Sequence, residues 1–169
     1  MNSKYFLGAN SSLGFYSLYD GFCRGSGDYL SIIKGGPGTG KSGFMRRIGA
    51  AAEMRGYDVE YVLCSGDSAS LDGVYIPAVR RGWMDGTAPH VLEPQLCGGG
   101  ANYLNFGEFY DEAGLRANEA EIRQAQRANA AQYPYVTACL AAAEKLSDAV
   151  RLAVETQRNT EEMEAIGQC

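Results

Sequence analysis

The segment Gly35-Gly36-Pro37-Gly38-Thr39-Gly40-Lys41-Ser42 constrains this chain more than any other. Its glycines let successive backbone N–H groups turn inward into a concave nest that most side chains would block. It fits the pattern G-x-x-x-x-G-K-[ST] at every required position, and that pattern belongs between a strand and a helix. The flanks agree. Tyr29-Leu30-Ser31-Ile32-Ile33-Lys34 reads as a short, largely apolar strand. From Ser42 to Arg55, Phe44, Ile48 and Ala52 fall four apart on one helical face, with Met45 and Ala51 beside them. Gly56 suits the C-cap. The helix aims its free N–H groups and positive dipole end at the nest, so the expected ligand is a nucleotide triphosphate with its Mg²⁺. Gly35, Gly36, Pro37, Gly38, Thr39, Gly40, Lys41 and Ser42 would form the cradle. Lys41 would reach the β- and γ-phosphates, and the Ser42 hydroxyl would ligate the metal.

Further elements extend an α/β reading. Asp58 to Cys64 alternates and then turns apolar, giving a second strand. Strand, helix, strand makes the two strands parallel members of one sheet. Ser65-Gly66-Asp67-Ser68 follows at the carboxyl end, where ligands gather in open α/β sheets. A third strand is expected over Val79 to Met84, interrupted by Arg80 and Arg81 and ending in Asp85. An acid at a strand tip beside a phosphate loop is a candidate to hold Mg²⁺ through water. Gly86 to Asn105, with Pro89, Pro94 and Gly98-Gly99-Gly100, reads as loop and carries the sole histidine, His90. In residues 1–28 the rings of Phe6, Phe15, Tyr16, Tyr19 and Phe22 either pack on the sheet edge or, for Phe15 or Tyr16, stack on a nucleotide base.

From Glu108 onward the composition turns to Ala, Glu, Gln and Arg, favouring helix, with Pro134 dividing or kinking it. Val136, Cys139, Ala143, Leu146, Val150 and Ala153 form an apolar stripe that should bury in a helical hairpin, on the sheet, or on a partner. The fold expected is therefore α/β, a three-layer P-loop NTPase-type core with a mainly parallel sheet over residues 1–107. A C-terminal helical segment follows over 108–169.

Composition narrows the function classes. A net charge of −5 and a pI near 4.9 argue against a general nucleic-acid binder. The five cysteines are odd in number and lack a C-x-x-C spacing, which suits reduced thiols rather than disulfides or a zinc site. The N-terminus lacks the apolar h-region of a signal peptide, and no apolar run approaches membrane-spanning length. The expectation is a cytoplasmic protein without a membrane partner.

The chain resembles a family of bacterial cytosolic P-loop ATPases or ATP-binding proteins, some of them nucleotide-kinase-like. The similarity covers most of residues 5–122. It includes Phe6-Leu7-Gly8-Ala9-Asn10, Gly14-Phe15-Tyr16-Ser17-Leu18-Tyr19, the phosphate loop with Met45-Arg46, and Gly56-Tyr57-Asp58-Val59-Glu60. It continues through Cys64-Ser65, Asp67, Ile76-Pro77 and Gly107-Glu108-Phe109. Ser70-Leu71-Asp72-Gly73-Val74 and Asp85-Gly86-Thr87-Ala88-Pro89-His90 are its most distinctive parts. The resemblance implies ATP binding and hydrolysis. Family members look like tandem proteins with a second phosphate-loop half. This sequence has one such loop, so the resemblance casts it as an N-terminal half whose partner is a second half or another copy of the chain.

Three functions stay open at this level. As an ATPase, the chain would use Lys41 to offset charge on the γ-phosphoryl group and Asp67 or His90 to orient water, and the acidic cluster Asp67, Asp72 and Asp85 suits metal and water handling. As a kinase, it would pass that group to a small molecule, with Arg80 and Arg81 suited to an anionic acceptor. As a non-catalytic module, it would bind ATP and report occupancy through its helices. The absence of a guanine-reading N-K-x-D motif favours ATP.

Overall fold

The computed structural model describes residues 2–88, 91–94 and 99–156. A short strand β1 (Ser3–Tyr5) precedes a hairpin of β2 (Gly8–Ser11) and β3 (Gly14–Ser17). After a 3-10 turn at Tyr19–Gly21 come β4 (Tyr29–Lys34), helix α1 (Lys41–Glu53) and β5 (Glu60–Leu63). Then follow β6 (Leu71–Ile76), β7 (Arg81–Asp85) and β8 (Ala101–Asn105). The C-terminal part is helical: α2 (Glu112–Ala117), α3 (Glu119–Ala130) and α4 (Tyr133–Thr156).

Six strands form one sheet in the order β1-β5-β6-β7-β4-β8. β1 pairs parallel with β5, and β4 pairs parallel with both β7 and β8. β6 pairs antiparallel with each of its neighbours and is the one reversed strand. The sheet is thus mostly parallel. β4 and β5 do run parallel in it, as the strand-helix-strand pattern implies, but β6 and β7 stand between them.

Alternation along β4 decides what covers each face. Leu30 and Ile32 point into a core with Val62, Met84, Tyr19 and Phe22. Ile33 points the other way, into a core with Met45 and Ala52 of α1 and with Tyr61, Leu71, Val74 and Ile76. One face therefore carries α1 and the other the N-terminal turn and hairpin. The rings of residues 1–28 do not pack on the sheet edge as a group. Tyr19 and Phe22 lie under the sheet face, Phe15 packs beside them, and Phe6 and Tyr16 are exposed.

Three strands were expected and six pair in the main sheet. Gly86 to Asn105 is not all loop, because Ala101–Asn105 pairs in register with Leu30–Lys34. Pro134 sits in the first turn of α4, where its missing N–H has no intrahelical partner to lose. The apolar stripe expected to bury along α4 does not: Val136, Cys139, Ala143, Leu146, Val150 and Ala153 are all exposed. Leu140 and Ala141 are half-buried and the helix touches β2, while Val154 is exposed. Among the described residues, no helix is long and apolar enough to cross a membrane.

α1 sits close on the sheet because Gly49 faces Tyr61. A methyl group at Gly49 would collide with the Tyr61 ring and hydroxyl. That hydroxyl donates to Glu53 Oε1 at 2.7 Å, so the ring cannot swing away without losing a bond. Gly49→Ala should therefore destabilise the fold by about 1–3 kcal/mol, as overpacking does. Urea unfolding would register it as a lower midpoint with an unchanged slope.

Candidate functional site

The glycine-rich loop leaves the carboxyl end of β4 and enters α1 at Lys41. Gly38 and Gly40 hold φ of +82° and +87°, the left-handed region that penalises a side-chain-bearing residue by about 1–2 kcal/mol. Gly40 is also the N-cap of α1, and no side chain caps it. The first N–H groups of the helix therefore lack a side-chain acceptor at the cap, the arrangement that draws anions to helix starts. The loop is braced from within, as Thr39 Oγ1 donates to the Gly36 carbonyl at 2.9 Å. It is braced from outside by Tyr110, whose hydroxyl accepts the Gly36 N–H, and by Phe106, against Gly35.

Lys41 is only 9% exposed. Its ammonium donates to the carbonyl oxygens of Gly35 and Gly36, the latter at 2.9 Å, and lies 3.5 Å from Asp85 Oδ2. Register explains the last contact. β7 runs parallel to β4 with Asp85 opposite Ile33, so the acid at the tip of β7 stands beside the start of the loop. Asp85 Oδ1 accepts the Thr87 N–H at 2.9 Å and the Thr87 hydroxyl, which fixes the carboxylate. The Ser42 hydroxyl oxygen accepts the Leu71 N–H at 2.9 Å, tying the first turn of α1 to the start of β6.

Above these groups opens a cavity of about 870 Å³ at the carboxyl ends of β4, β5 and β7. Gly36, Pro37, Lys41 and Asp85 line one part of it. Phe15, Cys64, Asp72 and, from α4, Tyr133 and Thr137 also line it. Phe15 stacks on Tyr19 with ring centroids 6.5 Å apart.

Asp72 is 4% exposed, a buried carboxylate. Its position depends on an irregularity in the sheet. Val62 pairs with Gly73 and Leu63 with Leu71, so β5 skips Asp72. A bulge of this kind re-aims a side chain. Here it turns Asp72 toward Tyr19, whose hydroxyl donates to Oδ2 at 2.7 Å. Burial foremost, and then the bond to Asp72, push the Tyr19 hydroxyl far above its ordinary pKa. Tyr19 therefore stays protonated and donating across the working pH range. Burial also raises the Cys64 thiol, opposed by backbone N–H groups of Gly66 and Asp67 and assisted by the Asp72 charge.

The structure gathers Gly36, Pro37, Lys41, Asp85 and Phe15 around one cavity. Asp67 does not line it. Asp67 lies in an exposed turn, accepting from Ala69 N at 3.0 Å and Ser70 Oγ at 2.7 Å. The Ser70 hydroxyl chiefly, and the Ala69 N–H, hold its carboxyl below the usual range. His90 lies outside the described residues. Arg80 and Arg81 sit at the opposite end of β7 from Asp85. Arg80 donates to Ser26 O at 2.6 Å and Arg81 stacks on Tyr29 at 4.5 Å. The sequence reading named Asp72 only as a member of the acidic cluster Asp67, Asp72 and Asp85, suited to metal and water handling. The signal that could have found it is an acid inside an otherwise apolar run, Leu71-Asp72-Gly73-Val74-Tyr75-Ile76.

Tyr19→Phe should cost about 1.5–3 kcal/mol, because it withdraws a hydrogen bond from a buried charge while keeping the ring's packing. Urea unfolding of the two proteins would check this. A loss below about 0.5 kcal/mol would mean that Asp72 is held by other groups.

Comparison with family models, with curated proteins and with solved structures found no match to this chain.

Proposed function

We propose that this chain is a P-loop NTPase that binds Mg²⁺-ATP and hydrolyses it. One observation carries the reading: a buried lysine at the first position of α1 folds over a left-handed glycine loop beside the acid at the tip of the neighbouring parallel strand. Backbone N–H groups of the loop and of the α1 start would receive the phosphates. Lys41 would shift part of its hold from the Gly35 and Gly36 carbonyls to phosphate oxygens, which carry more charge.

The donor set suits Mg²⁺. Among the described residues, no group of three or more His, Cys, Asp or Glu could hold a metal by itself. Mg²⁺ usually takes one or two carboxylates and completes its shell with water and phosphate. Ser42 and Asp85 offer a hydroxyl and a carboxylate of that kind, so the metal would enter with the triphosphate. When bound, it offsets charge on the phosphate oxygens. Phe15, on the cavity wall, would stack on the base. Hydrolysis is favoured over transfer to an anionic acceptor because Arg80 and Arg81 are engaged at the far end of β7.

Equilibrium binding and phosphate release with Mg²⁺-ATP test the proposal. Lys41→Ala should weaken binding about 10- to 100-fold, the equivalent of a lost charged hydrogen bond, and abolish release. Wild-type protein that binds but releases no phosphate would sink the hydrolase reading and leave a binding module. Phe15→Ala should weaken Mg²⁺-ATP by about 1–3 kcal/mol, the usual value of base stacking, and leave tripolyphosphate unaffected. Equal losses for both ligands would remove Phe15 from the base site.

A further inference from the structure

A stacked base is held by its face and recognised by its edge, so a ring alone does not choose among bases. The hairpin of β2 and β3 supplies more than a ring. Asn10 and Phe15 both line the cavity, and they stand directly opposite each other in the hairpin register. Opposed residues project from the same face, with Cβ atoms about 4.5–5.5 Å apart. Gly8, two residues before Asn10, lies on that face too, and a methyl group there would collide with the Phe15 ring. The missing side chain is what lets the ring lie along β2. The result is a flat apolar surface with a carboxamide at its side. Helix α4, which touches β2, adds Tyr133 and Thr137 to the same cavity.

Asn10 differs in kind from the other polar groups here. Among the described residues that line the cavity, Asn10 alone carries a side-chain amide, and it is exposed. An amide offers a donor and an acceptor side by side in one plane, whereas a hydroxyl rotates to suit either partner. Adenine has a matching edge. Its 6-amino group donates, and a ring nitrogen on either side of it, N1 or N7, accepts. We propose that Asn10 is the base-reading residue of this site. Its Oδ1 accepts from the 6-amino group of adenine, and its Nδ2 donates to the adjoining ring nitrogen, while the base lies on Phe15. The assignment rests on the reading of the chain as an ATP-binding P-loop protein.

Equilibrium binding to wild type, Asn10→Ala and Asn10→Asp tests it, with Mg²⁺ complexes of ATP, GTP, purine riboside triphosphate and tripolyphosphate. Asn10→Ala should weaken ATP by about 5- to 100-fold, the usual discrimination of a bidentate amide–adenine pair. Tripolyphosphate, which has no base, should bind unchanged. Purine riboside triphosphate carries hydrogen in place of the 6-amino group. Wild type should bind it about 3- to 10-fold less tightly than ATP, one hydrogen bond's worth, and Asn10→Ala should bind the two alike. Asn10→Asp supplies a carboxylate, which only accepts. It meets the ring nitrogen of adenine with a lone pair, but can take the N1–H and 2-amino protons of guanine together. The ratio of ATP to GTP affinity should therefore fall below that of wild type. An ATP affinity in Asn10→Ala within about twofold of wild type overturns the proposal, as does an equal loss for tripolyphosphate. So does an unchanged ATP-to-GTP ratio in Asn10→Asp. Wild-type protein that binds no Mg²⁺-ATP would refute the nucleotide reading and this inference together. Wild type that binds Mg²⁺-ATP, with an Asn10→Ala that still separates ATP from purine riboside triphosphate, refutes this inference alone.

Discussion

One ammonium group joins three parts of this protein. The Lys41 side chain begins on α1, crosses to the carbonyls of Gly35 and Gly36 at the end of β4, and faces Asp85 at the tip of β7. A cation so buried would be costly alone, and here the cost is offset by two carbonyl dipoles and a carboxylate. The arrangement does more than satisfy a charge. It closes the loop into one shape, keeps α1 in line with the loop, and sets the spacing between two strands at their ligand-facing ends. Phosphate oxygens would enter a site whose donors are already aimed, which is the condition under which electrostatic stabilisation is strongest.

The sheet brings acids to that rim by two routes. Asp85 arrives in the ordinary way, at the carboxyl end of a parallel strand in register with β4. Asp72 arrives because β6 is reversed, so that its beginning lies where its neighbours end. The bulge then moves the Asp72 carboxylate to the Tyr19 side, away from the face that holds Leu71. The N-terminal hairpin has a corresponding part. Gly8 leaves room for the rings of Phe15 and Tyr19, and those rings form the wall on which Asp72 rests.

What was legible in the sequence tracks how local the cause was. β4 was found residue for residue, and α1 within two residues at its end, because loop pattern and helical spacing both act over short range. Gly56 was recognisable for its backbone freedom, and it does adopt φ of +78°. β8 was hidden in a glycine- and proline-rich stretch, since it pairs with β4, far away in sequence. β6 was obscured by Asp72-Gly73, a pair that usually marks a turn. Here Gly73 is the residue that admits Met84 against Val62, and Asp72 has Tyr19. Asp67 looked suitable because it follows β5 directly, yet its oxygens are spent on the local turn that leads into β6. Its own neighbours decided its fate, whereas Asp72 was decided by a tyrosine from the other end of the domain.

The reversal of β6 also bears on how the chain can assemble. β5, β6 and β7 form a meander joined by residues 64–70 and 77–80, so their pairings close short loops. The partners of β4 and β1 lie far along the chain and close long loops, which are slower to form. The half of the sheet bearing both acids is thus tied together by short connections, whereas the strand that carries the lysine loop can join it only by closing long ones.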